Sequence, residues 1–243
     1  MAYLKYIPCI IFLSLLPAGS PAHADDYSID SPEVDAGEVS LEANLNYSMD
    51  SHRNLDRYFS QVYGLQYGVN AVWSTEISGL FEKTADTSGR LTNLKWKNII
   101  APFKPGVYWL DAGLSLQIEK SVDGGNPDNA EAKLLFEKDI NSFMNTANLS
   151  LSQDFGHGAT QGMEAGYSWR TKYHFSDALE PGMEYYSNLG KLLDLDVTQR
   201  QDNVMGPVLQ GKFGDIAYDT GVLFGVSSAA HDATFKFNLE YSF

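Results

Sequence analysis

Apolar and polar side chains alternate along this chain in runs of about ten residues, again and again, and that period of two is the feature a fold has to satisfy. The last run is the cleanest: Phe235, Phe237, Leu239, Tyr241 and Phe243 fall on one face, and Thr234, Lys236, Asn238, Glu240 and Ser242 on the other. Near the start, Val39, Leu41, Ala43, Leu45 and Tyr47 oppose Glu38, Ser40, Glu42, Asn44 and Asn46. Such strict alternation is the signature of a strand with two different faces. Twelve runs can be marked, at 38–47, 61–70, 72–82, 92–101, 108–119, 131–138, 145–154, 163–173, 179–189, 203–213, 215–226 and 234–243. The least regular is 131–138, because Ala132, Leu135, Phe136, Ile140 and Phe143 also fit a helical stripe. Pro181 and Pro207 each remove a ladder donor and belong near a strand start or a bulge.

The connections sort by length. Odd-numbered ones are long and polar: 50–60, 83–90, 121–129, 155–161, 190–202 and 227–232. Most even-numbered ones are tight, at Asn70-Ala71, Pro102 to Pro105, Asp139 to Phe143 and Gly214, with His174 to Ala178 intermediate. Bacterial outer-membrane barrels have an even strand number, short periplasmic turns and long outer loops. A soluble barrel with an apolar inside is the competing reading. Against it stand the charged polar faces and the aromatics near run ends, such as Tyr47, Tyr63, Trp73, Trp96, Tyr173 and Phe243, which suit girdles at lipid–water boundaries. The expected fold is all-β: a closed, antiparallel, up-and-down transmembrane barrel of about twelve strands.

Residues 1–24 read as an export signal: Lys5, an apolar stretch from Ile7 to Leu16, and the small-x-small pattern Ala22-His23-Ala24. That stretch is about half the ~20 residues a spanning helix needs. Residues 25–36 form a short acidic extension without periodicity, and 37–243 the barrel. Cys9, the chain's single cysteine, lies in the signal, so disulfide and cysteine-based chemistry are excluded from the processed chain. The net charge of −14 argues against a nucleic-acid partner, which would require basic surface.

The closing stretch Phe235 to Phe243 resembles the last strand of Gram-negative outer-membrane proteins, which ends in an aromatic residue read by the barrel-assembly machinery. The resemblance makes Phe235, Phe237, Leu239, Tyr241 and Phe243 the expected assembly signal. More narrowly, the chain is similar to a barrel family named for the meta-pathway of phenol degradation. The matching stretches are Tyr67-Gly68-Val69, Trp73-Ser74-Thr75-Glu76, Trp96-Lys97-Asn98, Pro105-Gly106 with Tyr108, Asp111 and Gly113, Gly206-Pro207 and Leu223-Phe224-Gly225. That resemblance implies an outer-membrane location and transport of small solutes, with aromatic or hydrophobic compounds as one candidate class.

If the apolar faces meet lipid, the charged faces line the lumen. This places Glu42, Glu76, Lys95, Lys97, Asp111, Glu119, Glu164, Arg170, Lys172, Glu184, Lys236 and Glu240 inside, with Asp219 beside them. Two readings stay open: an aqueous pore whose charges select solutes, or a narrow interior filled by ion pairs. About eight strands can be filled by side chains and about sixteen leave a channel, and twelve lies between. Lys236 and Glu240 are expected beside Glu42 once the last strand meets the first. Enzymatic chemistry is not expected. There is no Gly-x-Ser-x-Gly elbow and no His-Glu-x-x-His motif. Four histidines lie beyond the signal, His52, His157, His174 and His231, and His157, between two glycines, reads as an exposed turn residue. The acidic loop at Asp123, Asn126 and Asp128 lacks calcium-loop spacing. No metal and no cofactor are expected; the expected partners are outer-membrane lipid, the assembly machinery and a small solute.

Overall fold

A computed structural model describes residues 27–51, 56–84, 88–122, 126–195 and 201–243. The signal segment, Cys9, Asp25, Asp26, His52 and Asp123 lie outside the described residues.

Twelve long strands form one sheet: β1 (Val39–Met49), β2 (Tyr58–Asn70), β3 (Trp73–Lys83), β4 (Arg90–Ile100), β5 (Asp111–Ser121), β6 (Asp128–Ile140), β7 (Phe143–Phe155), β8 (Glu164–Tyr173), β9 (Glu180–Lys191), β10 (Asp202–Phe213), β11 (Ile216–Gly225) and β12 (Ala233–Ser242). A two-residue strand, Asp194–Leu195, folds back on the end of β9. Every long strand runs antiparallel to its neighbours in sequence, and β12 pairs with β1 from Ala233↔Met49 to Ser242↔Ser40. The seam is carried to the last residue, where Phe243 N donates to Val39 O at 3.0 Å. The sheet is therefore a closed up-and-down barrel with no free edge. In hydrocarbon that closure is obligatory, since an unpaired backbone donor has no water to turn to.

The alternation decides which side is wet. On β3, Ser74, Glu76, Ser78 and Leu80 are buried, whereas Trp73, Ile77 and Phe81 are exposed. The same holds around the barrel: Leu41, Leu65, Ile77, Trp96, Leu116 and Ile118 all stand outward, while Ser40, Asn46, Thr146, Glu184 and Lys236 are buried inside. A continuous apolar belt of this kind exceeds by far the few hundred Å² that a soluble monomer exposes. Strands of ten to thirteen residues at about 3.3 Å per residue, tilted by about 40°, cover an apolar band of roughly 25 Å. The outer face is built for lipid.

One expectation is corrected here. The fifth strand begins at Asp111, three residues later than the alternation from Tyr108 suggested. Pro102 and Pro105 have no N–H to give a ladder, Gly106 takes φ +73°, and both Asp111 carboxylate oxygens accept its N–H at 2.9 Å. The connection from β4 to β5 is thus residues 101–110, an exception to the short-turn rule, and it presents Phe103, Tyr108 and Trp109 to the outside. The least regular run, 131–138, is a strand as marked and not a helix: it lies in a thirteen-residue strand paired along its full length with β7, from Asp128↔Phe155 to Ile140↔Phe143. Residues 27–35, within the acidic extension, fold into the barrel. Pro181 is the second residue of β9, and at Gly206-Pro207 the β10–β11 ladder skips two pairs while keeping its register.

Long connections gather at one end of the barrel (the loop end); the shorter ones and the start of β1 gather at the other (the turn end). The turns 71–72, 141–142 and 214–215 are two residues each.

Candidate functional site

The interior is a set of ion pairs strung between strands. Lys97 on β4 meets Glu76 on β3 at 2.6 Å. Lys95 lies 3.7 Å from Glu119 on β5, whose other oxygen accepts from Asn93. Lys236 on β12 has no exposed side-chain surface and holds Glu184 on β9 at 2.6 Å and Asp219 on β11 at 2.7 Å. Glu184 also accepts from Tyr186 at 2.9 Å and Gln210 at 3.3 Å, with Arg170 on β8 at 4.0 Å. Every one of these charges would be costly alone in a low-dielectric wall and is tolerable because it is paired.

Lys236 does not stand beside Glu42 as expected. Its register partner on β1 is Asn46, and its ammonium crosses two strands to reach Glu184. Glu42 and Glu240 do come together, directly opposite one another in the β1–β12 seam. Lys172 pairs with Glu180 at 2.6 Å near the turn end, and Glu164 accepts from Asn188 at 3.4 Å. Asp111 accepts from Gly106 N at the start of β5 and stands opposite the buried Glu137, on the same inward face. Phe235, Phe237, Tyr241 and Phe243 all face outward on β12 and beyond, with Leu239 half-buried on the same face. His157 is exposed in the loop after β7, and His174 is exposed next to Glu180. Asn126 and Asp128 do not meet as ligands: Asp128 binds Lys120 at 2.6 Å and the N–H of Ser121 at 3.1 Å.

Alternation does not reveal the group at the centre. The chain enters the barrel at the turn end, where Gly37 N donates to Gly68 O at 2.7 Å and Gly68 N to Glu38 O at 2.9 Å. A Cβ on Gly68 would sit 1.9 Å from the carbonyl oxygen of Asp35, so only glycine admits this close passage. From there the segment runs inward. Asp30 is clasped at both backbone atoms by Asn148 on β7: its N–H donates to Oδ1, and its carbonyl accepts from Nδ2, each at 2.9 Å. The Asp30 carboxylate lies 3.3 Å from Lys97 and 3.5 Å from Lys133. Ser31 donates to Glu137 at 2.9 Å, and Asn238 donates to the Tyr27 carbonyl at 3.2 Å. Tyr27 itself ends in an apolar nest of Val204, Val208, Leu223 and Ala230, edge-on to Tyr186 at 5.2 Å. Ala230 belongs to the loop between β11 and β12, so this loop covers the tip of the segment.

Two cavities flank it. One of about 240 Å³ lies towards the loop end, between Tyr27 and residues such as Lys95, Glu119, Asn129, Asp154 and Glu164. The other, about 420 Å³, lies towards the turn end, between Asp30 and residues such as Glu38, Glu42, Lys172 and Glu180. Ser28 borders both.

No family model matches the chain, and no curated protein matches it in sequence. Solved structures do match in fold. A membrane protein from a study of in-meso crystallisation is 15% identical with a TM-score of 0.50, covering 85% of this chain and 84% of that one. The outer-membrane protein Omp33 of Acinetobacter baumannii is 11% identical, TM-score 0.48, over 88% of this chain and all of that one. LpxR of Salmonella typhimurium is 9% identical, TM-score 0.48, over 85% and 100%. The fold is a closed antiparallel β-barrel with an apolar outer face, of the kind found in membrane proteins. The narrower likeness to the phenol meta-pathway barrels gains nothing from these comparisons.

Proposed function

We propose that the chain is an outer-membrane pore for small hydrated solutes, preferring cations to anions. The observation that carries this reading is the pair of polar cavities, about 240 and 420 Å³, that reach in from opposite ends and share Ser28 in their linings. A barrel whose sole task was structural has no need of two polar vestibules on one axis. By the usual arrangement of such barrels, the loop end faces outward and the turn end, with both termini, faces the periplasm; export through a cleaved signal fits this.

The preference for cations follows from the lining of the larger vestibule. Asp30, Glu33, Asp35, Glu38, Glu42, Glu180, Asp219 and Glu240 border it, against Lys97, Arg170 and Lys172. A low-dielectric wall focuses such a field and raises the local concentration of the opposite charge. The apolar nest of the interior is filled by Tyr27 itself, so apolar or aromatic solutes rank behind hydrated ones.

The test is a recording from purified, folded protein in planar bilayers under a salt gradient. Stepwise currents are expected, with a reversal potential displaced towards that of the cation. Changing Glu42 and Glu240 together to Gln should reduce that displacement. Persistent silence from protein that shows heat-modifiable mobility would sink the reading.

A further inference from the structure

We infer that residues 27–31 are a removable plug, bound in cis at a lumenal site that recognises a short acidic peptide, and that the pore opens when this segment withdraws towards the turn end. The inference deepens the pore reading and rests on it.

The argument lies in what remains when the segment leaves. Lys97 keeps Glu76, the nearer of its two carboxylates at 2.6 Å against 3.3 Å for Asp30. Lys133 keeps Glu131 at 3.1 Å against 3.5 Å for Asp30. Glu137 keeps the hydroxyl of Thr146, which donates to the same oxygen that Ser31 uses, also at 2.9 Å. Each charged side chain of the site thus has a second partner in the wall, and withdrawal strands none of them. The contrast with Lys236 and Glu184 is plain: those two satisfy each other inside the wall itself, with no contribution from the segment. Charges that lose their only buried partner lock a structure, whereas charges with a spare partner permit exchange.

The segment is also held in the manner of a ligand. It joins no strand ladder, and its backbone is read by the amide groups of Asn148 and Asn238. Its side chains supply a ring to an apolar nest and a carboxylate to two ammonium groups. The tether at Gly37 and Gly68 lies at the turn end, which fixes the direction of withdrawal.

The experiment uses the full chain. Asp30→Lys sets a third ammonium against Lys97 and Lys133. It should raise mean conductance by roughly tenfold if the closed form dominates the wild type. In the same background a cysteine placed by Ile29→Cys, shielded in the wild type, should react with a small hydrophilic thiol reagent. A peptide of the sequence Tyr-Ser-Ile-Asp-Ser-Pro-Glu-Val-Asp, added on the turn-end side at about millimolar levels to match the tethered segment, should restore closure. The same peptide carrying Lys for Asp30 should not. Should Asp30→Lys fail to fold, Asp30→Asn serves as the milder variant. Unchanged conductance with Ile29→Cys still shielded overturns the plug and leaves the pore reading standing, as does equal closure by both peptides. No current from any folded form removes the pore reading, and this inference with it.

Discussion

Lys236 shows how a single side chain is fixed by the barrel's circumference. It is fully buried, and its two carboxylates come from β9 and β11. Lys236→Met leaves Glu184 and Asp219 facing each other in the wall without a cation, at a cost of about 3–5 kcal/mol. Refolding from urea into detergent micelles should show the loss, and a midpoint equal to wild type would contradict the assigned network. On the opposite face, Ile77 stands at the middle of β3 and is 66% exposed towards lipid. Ile77→Lys should destabilise the barrel in bilayers by about 2–4 kcal/mol, measured as a shift in the unfolding transition in vesicles. At this scale the sequence tells which way a side chain points, because the period of two is imposed by the pleat. It does not tell which partner waits inside. Alternation placed Lys236 inward, but its bond to Glu184 spans two intervening strands and depends on stagger, which no local pattern encodes. Asp111 shows the same limit: the alternation sets its face, opposite Glu137, but not its bond to the Gly106 turn.

At the scale of elements, strand number and pairing were legible because turns, prolines and alternation agree along nearly the whole chain. Alternation alone makes the connection 101–110 look shorter than it is, because the apolar-polar rhythm continues through Tyr108 and Trp109, although Pro102 and Pro105 deny that stretch a ladder. The plug was illegible for a plainer reason. Residues 27–35 pair with no strand, so nothing imposes a period on them, and the short alternation of Tyr27 and Ile29 with Ser28 and Asp30 is too brief to stand out. The loop over Tyr27 offers a pH test. His231 lies in it, its ring stacked on Tyr58 at 6.1 Å and its Nδ1 3.6 Å from Asp50. Burial pushes its pKa down, and the nearby Asp50 and Asp232 only partly offset this. With the folded value below the unfolded one, the unfolded state binds more protons between the two, so the loop's stability is full above about pH 6.5 and falls as pH drops through the folded value. Protection of the amides at residues 225–233, taken relative to their intrinsic exchange rates, should fall between pH 8 and pH 5, and His231→Gln should abolish that dependence; an unchanged profile in the variant would assign the effect elsewhere.

Seen whole, the molecule is a cylinder whose outside is uniform and whose inside is differentiated. Lipid asks only for apolar surface and closed hydrogen bonding, so the outer face could be read from composition and rhythm alone. The inside answers to shape, and shape here includes a piece of chain that the wall does not contain. The segment from Tyr27 to Ser31 touches Lys97 on β4, Lys133 and Glu137 on β6 and Asn148 on β7, and also Val204 on β10, Leu223 on β11 and Asn238 on β12. Those two groups of strands lie across the axis from each other. The segment is therefore a strut as well as a stopper: while it is seated, the barrel's cross-section resists flattening, and once it is gone the ring is free to turn elliptical.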